Sequence, residues 1–217
     1  MRSPSTAVYA PSWVYHDHGN PSAEPVVWLD GLDVPMVNSF DASFAEPGLE
    51  EIPPLTRTEG DALARYGANL LPLEYPSSRR STPLLSYPYA RTRAALEQLR
   101  RNGPCDPCHG VKMQYVNPAT GGPALPTIGA FIQLLPAGFR GTACRSTDAT
   151  VYCCVEGSGC TRAGDVSLSW KPRDIFVIPS WCPVSHEARE ESILFSFSDR
   201  PAQKALGIWR EENPIGS

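Results

Sequence analysis

Short apolar runs broken by turn residues fill the second half of the chain and set its predicted architecture. Thr127–Leu135 reads as a strand that stops at Pro136-Ala137-Gly138, and Thr150–Val155 as another, closed by Glu156-Gly157-Ser158-Gly159. Val166–Trp170, Asp174–Ile178 and Ser192–Phe197 complete the set. Strands at roughly 8–12-residue spacing, each bounded by turn residues, predict a sandwich or barrel. Helical periodicity is rarer. Tyr89–Arg101 sets Ala94, Ala95, Leu96 and Leu99 against Arg91, Arg93, Glu97 and Arg100, which predicts an amphipathic helix. Thr58–Tyr66 is a shorter candidate with Thr58 as N-cap, and Pro201 to about Glu212 a tail helix whose Ala205, Leu206 and Trp209 share a face.

The chain also repeats itself. Val8-Tyr9-Ala10-Pro11-Ser12-Trp13 is echoed by Phe176-Val177-Ile178-Pro179-Ser180-Trp181, and a His follows five residues after each Trp, at His18 and His186. Each copy then enters an apolar run led by Glu: Glu24-Pro25-Val26-Val27-Trp28 and Glu191-Ser192-Ile193-Leu194-Phe195. A duplicated β-domain explains the echo; chance similarity in a Pro-rich β protein is the alternative. Only the second copy has a full set of strands ahead of its Pro-Ser-Trp turn. The expectation is therefore that the chain is the C-terminal portion of a longer protein. Residues 1–33 would supply the last strands of an incomplete first barrel, 34–104 a Pro-rich connector with the helix at 89–101, 105–200 a complete second barrel, and 201–217 a helical tail.

Composition narrows the function classes. The 217 residues include 17 Gly and 23 Pro, and 19 basic against 23 acidic side chains give a net charge of −4. With a pI near 5.6 and no basic cluster beyond Arg79-Arg80 or Arg100-Arg101, a nucleic-acid or anionic-membrane partner is not expected. No apolar run approaches the roughly 20 residues of a membrane span. Seven Cys, an odd number, with no export signal read as free thiols in a cytoplasmic protein.

Longer strings carry a family resemblance. PSWVYHDHGNPSAEPVVWLDGLDVP, YPYARTRAALE, DPCHG, YVNPATGG, PTIGAFIQLLPAGFR, RSTDATVYCCVEGSG and LFSFSDRP together resemble gentisate 1,2-dioxygenase, from Pro11 to about Arg210. The resemblance implies a mainly β fold of cupin jelly-roll barrels, two per chain. It also implies Fe(II)-dependent cleavage of a small aromatic hydroxy acid (gentisate to maleylpyruvate, with relatives acting on salicylate or 1-hydroxy-2-naphthoate) and a tetrameric homo-oligomer. Three His hold the family's iron in the first cupin, two from an H-x-H strand and a third after the Pro-Ser-Trp turn. By resemblance that third ligand is His16, His18 and Asp30 are catalytic pocket residues, and Trp28 lines the substrate pocket. Neutral imidazoles on one face of Fe(II) leave the other for a bidentate hydroxy-carboxylate and O2.

This sequence departs from the pattern at the metal. Its only H-x-H is His16-Asp17-His18 itself, so the family's other two ligands find no match, and His16 without them reads as an isolated imidazole near a barrel mouth. In the second barrel, cupin spacing puts Cys144 and Ser146 at the H-x-H position and Val184 at the third His. Such a set does not hold Fe(II), so that barrel is expected to be metal-free and structural. The isolated chain is expected to be inactive; the competing class is a non-catalytic cupin that binds or assembles. Cys105-Asp106-Pro107-Cys108-His109 matches the c-type haem pattern and a redox C-x-x-C, but neither an exported cytochrome nor a thioredoxin-like context surrounds it. Cys153-Cys154, adjacent in one strand, point to opposite faces and read as small fillers.

Overall fold

A computed structural model describes residues 7–10, 20, 23–46, 57–75 and 80–213. Its centre is two antiparallel sheets. One has five strands in the order β3 (Val111–Gln114), β4 (Gly129–Leu135), β11 (Ser192–Ser198), β6 (Thr150–Glu156) and β9 (Ile175–Ile178). The other has three, β10 (Val184–Ala188), β7 (Gly159–Ala163) and β8 (Val166–Trp170). Bridges Arg140↔Glu187 and Cys144↔Val184 widen the smaller sheet at β10. The result is a jelly-roll barrel of cupin type: strand spacing predicts a sandwich or barrel, and the family resemblance implies the cupin.

Alternation along the strands sorts side chains into two cores. Leu135, Tyr152, Cys154, Phe176, Ile178 and Leu194 meet Trp170, Val184 and Ala188 between the sheets. The outer face of the larger sheet sends Val111, Ala130, Ile132, Leu134 and Ile193 against Tyr9, Tyr89 and Leu96. Strand β4 is buried on both faces, which is why it reads as a continuous apolar run rather than an alternating one. Gly159 permits the closest approach: a Cβ there would lie 2.1 Å from the Glu187 carbonyl oxygen and 2.5 Å from the Trp170 ring.

The remaining elements brace the barrel. Helix α1 (Val34–Ser39), which the hydrophobic pattern does not announce, follows a segment in which Gly31 lies against the Phe197 ring. Asp33 there accepts a hydrogen bond from Thr127 Oγ1 at 2.6 Å. β1 (Ala7–Val8) pairs with β2 (Ser86–Tyr87), which places Tyr9 against Tyr87 and Tyr115. Helix α3 (Tyr89–Asn102) packs on the larger sheet through Tyr89 and Leu96. Thr82, Leu84, Tyr89 and Leu96 of the stretch from residue 80 to 104 are buried.

Several expectations need correction. Helix α2 is Asp61–Tyr66, with left-handed Gly60 at the N-cap position, so Thr58 lies before the cap; Asp61 pairs with Arg57 and Arg65. The expected apolar face of α3 is rotated. Ala94 and Leu99 are exposed, whereas Arg93 turns inward to Glu156 and Glu191 on the barrel. The tail helix is only α4, Arg200–Ala205. Gly207, at φ +72°, ends it, and the chain returns so that β12 (Glu211–Glu212) pairs with β5 (Arg145–Ser146). The turn expected through Gly159 is shorter, since that residue opens β7. Residues 24–28, read as a strand, join no sheet among the described residues.

Candidate functional site in the barrel

One end of the barrel holds a cavity of about 20 Å³, lined among others by His109, Lys112, Cys144, Tyr152, Val184 and Arg200. The loop that delivers its first residue is the Cys105–Gly110 turn. Asp106 Oδ1 accepts the backbone N–H groups of Cys108 and His109 at 2.8 and 2.7 Å, and Asp106 and Gly110 close it by paired backbone hydrogen bonds. His109 Nε2 then lies 3.9 Å from Cys144 Sγ and 3.8 Å from Glu211. The C-x-x-C-H motif therefore positions an imidazole against the barrel.

The residues expected at a second metal position do come together. Cys144 and Val184 exchange backbone hydrogen bonds of 3.0 and 2.8 Å, and with Ser146 they line this cavity. Burial and the neighbouring Cys108 push the Cys144 thiol up to about 12, so it is protonated at neutral pH. Burial lowers His109 as well. Among the described residues, no group of three or more His, Cys, Asp or Glu is placed to hold a metal ion.

Charge at the cavity is mostly compensated. Arg200 Nε reaches Asp148 Oδ2 at 3.1 Å, and its other nitrogen lies 3.7 Å from Glu211. Asp148 also accepts from Ser198 Oγ at 2.6 Å and Trp209 Nε1 at 2.9 Å. Burial alone would raise its carboxyl, but Arg200 and these hydrogen bonds outweigh burial and bring it down to about 2. Lys112 has no such partner: among the described residues no carboxylate lies within ion-pair distance of its ammonium. Instead Nζ sits 5.2 Å from the Phe131 ring centroid and 5.8 Å from that of Tyr152. Burial lowers this amine to about 8.

His186, the second copy's counterpart of His18, is buried behind Tyr152, with ring centroids 5.0 Å apart. Trp170 Nε1 can only donate, and it donates to Thr161 Oγ1 at 2.9 Å; that hydroxyl is 2.8 Å from His186 Nδ1. Burial lowers His186 to about 3, so the ring is neutral. His186 is a core residue rather than an acid or base.

His16 and His18 fall outside the described residues. Trp28 is half exposed, Asp30 is exposed, and neither lines this cavity. Nothing local in Val111-Lys112-Met113-Gln114 marks Lys112, because alternation opposite an apolar Val111 puts a lone Lys on the solvent side; in the fold Val111 packs outside the larger sheet and Lys112 faces the cavity.

No family model matches the chain. Over 204 residues, 94% of its length, it is 55% identical to gentisate 1,2-dioxygenase 1 of Aquipseudomonas alcaligenes. The chain is homologous to the gentisate 1,2-dioxygenases. It spans 59% of that relative, so about three-fifths of the length of the curated relatives it matches. It is also 35% identical over 205 residues to 5-aminosalicylate 1,2-dioxygenase of a Comamonas species, covering 93% of this chain and 54% of the relative. The crystal structure of a point mutant of salicylate 1,2-dioxygenase from Pseudoaminobacter salicylatoxidans superposes with a TM-score of 0.85 at 29% identity. That match covers 95% of this chain and 60% of that one. A complex of that mutant with gentisate gives 0.78 at 27% identity, covering 85% and 53%.

Proposed function

We propose that the chain corresponds to the C-terminal part of a gentisate 1,2-dioxygenase-like bicupin that serves ring cleavage of a small aromatic hydroxy acid in the cytoplasm. The observation that carries this reading is 55% identity to a gentisate dioxygenase across 94% of the chain. In it His16 is an iron ligand, His18 and Asp30 are pocket residues that take or orient the substrate's phenolic proton, and Trp28 walls the pocket. The described residues offer Fe(II) no donor set, so cleavage needs imidazoles beyond them, supplied in the family pattern by an H-x-H strand. A homo-oligomer would complete the assembly.

The 217-residue chain alone is then expected to bind no stoichiometric iron and to form no maleylpyruvate. The test is anaerobic reconstitution with Fe(II), metal analysis, and exposure to air with gentisate while product absorbance is followed. Co-expression with the upstream half of a relative is expected to restore both iron and turnover. One equivalent of iron with steady product from the chain alone would overturn the proposed division of ligands. A complemented complex that binds iron but cleaves no aromatic hydroxy acid would favour the second reading, a non-catalytic cupin. The residues Cys144 and Val184, facing each other where a metal site would be, favour that reading for the barrel.

A further inference from the structure

The cavity at the barrel's end combines three features that have no role in the reading above. It is closed enough, at about 20 Å³, to hold one particle the size of a water molecule. Its wall is partly apolar, from Tyr152, Ile178 and Val184. It also presents one cation, Lys112, whose charge no protein carboxylate meets at ion-pair distance among the described residues, while Arg200 beside it is met by both Asp148 and Glu211.

Where Cys144, Ser146 and Val184 replace metal ligands, the fixed charge facing the cavity is thus positive. Lys112, Arg145 and Arg200 line it against two carboxylates, Asp148 and Glu211, both of which engage Arg200, so a metal cation would meet a net positive wall. An anion would meet an ammonium without displacing any existing pair. The protonated Cys144 thiol adds a weak donor, and His109 Nδ1 is buried with no protein partner. Apolar walls with one ammonium suit a weakly hydrated monovalent ion better than a larger oxyanion, which this volume would not admit.

We propose that this degenerate metal position is a binding site for a small monovalent anion of halide size, anchored by Lys112. The inference is independent of the ring-cleavage reading, because it concerns the barrel alone.

Bromide is the probe. Crystals of the full chain soaked in sodium bromide and measured at the bromine edge are expected to show an anomalous peak in the cavity, in contact with Lys112 Nζ. Lys112→Met is expected to abolish that peak while leaving bromide elsewhere on the surface unchanged. In solution, replacing gluconate by bromide at constant ionic strength is expected to raise the Tm of the wild-type chain. Should Lys112→Met not fold, pH supplies the second arm. The charged and titratable groups around Lys112 and the cavity are Arg145, Arg200, Asp148, Glu211, Cys144, Cys182, His109 and His186, and this arm uses Cys182→Ser so that the charge change between pH 7.5 and 9.5 is read at Lys112. Bromide affinity is therefore expected to fall as pH rises through about 8, approaching tenfold per pH unit above it. No peak in the cavity, a peak that survives in Lys112→Met, or an affinity flat across that range would each overturn the proposal.

Discussion

Two segments of near-identical pattern meet opposite fates in this molecule. Glu24-Pro25-Val26-Val27-Trp28 and Glu191-Ser192-Ile193-Leu194-Phe195 each follow the Pro-Ser-Trp echo and each reads as an apolar strand. The second is the centre of the larger sheet, hydrogen-bonded to β4 on one side and β6 on the other, with Ile193 and Leu194 fully buried. The first joins no sheet among the described residues, and Val27 is 94% exposed. An apolar run becomes a strand only when neighbours complete its ladder and cover its faces. The second has them, whereas among the described residues no strand pairs with the first.

Truncating the same kind of side chain in both places gives the sharpest contrast. Leu194→Ala removes packing from a site walled by both sheets and is expected to cost about 2–5 kcal/mol. Val27→Ala is expected to stay within about 0.5 kcal/mol. Urea unfolding of the two variants measures both. Comparable losses would mean that residues 24–28 are buried in solution, and the contrast would collapse.

Acid is the next largest lever, and it acts on the barrel end. The folded Asp148 carboxyl, at about 2, lies below its ordinary value of 3.8, so on acidification the unfolded chain takes up the proton first. The stabilisation, about 2 kcal/mol, is present above pH ~4 and is lost as pH falls toward 2. Asp148→Asn is expected to be less stable at pH 7 and to lose this part of the acid dependence. An unchanged pH profile would show that the Arg200, Ser198 and Trp209 contacts do not hold the carboxylate.

What was legible in the sequence follows from which forces are local. Strands β4, β6, β8, β9 and β11 could be placed because apolar runs between Gly and Pro turns depend on short-range pattern alone. β7 was lost because Gly159-Cys160-Thr161-Arg162-Ala163 carries too few apolar residues; its pairing partners β8 and β10 make it a strand. The tail helix was overextended because nothing local shows that Trp209 returns to Asp148. The cavity was half legible. Cupin spacing brought Cys144, Ser146 and Val184 together, but Lys112, Asp148 and Arg200 meet there only through strand register and chain return.

Helix α3 shows the same limit, and it sets a smaller test. Periodicity puts Arg93 on the solvent side, yet it reaches Glu97, Glu156 and Glu191, and Arg100 also reaches Glu191. Tyr89 donates to Glu156 at 2.5 Å. Most of these groups are partly exposed, so water screens the pairs, and Arg93→Ala is expected to cost about 1 kcal/mol. The loss is expected to shrink in 1 M salt. A loss near zero at low salt would place the docking of α3 on Tyr89 and Leu96 alone.

The smallest effect on stability carries the comparison furthest. Val27 and Leu32 are 94% and 70% exposed, along a segment held to the barrel near Gly31 and Asp33. Exposed apolar side chains gathered in one stretch favour association between copies, since burying each contributes about 25 cal/mol per Å². Val27→Glu puts a charge in that stretch and touches neither core. Its urea midpoint is therefore expected to match the unaltered chain, while sedimentation shows a smaller weight-average mass at the same concentration. If both stay unchanged, these side chains take no part in association. If stability falls as well, Val27 is packed in solution, and the two Glu-led segments are more alike than their exposure suggests.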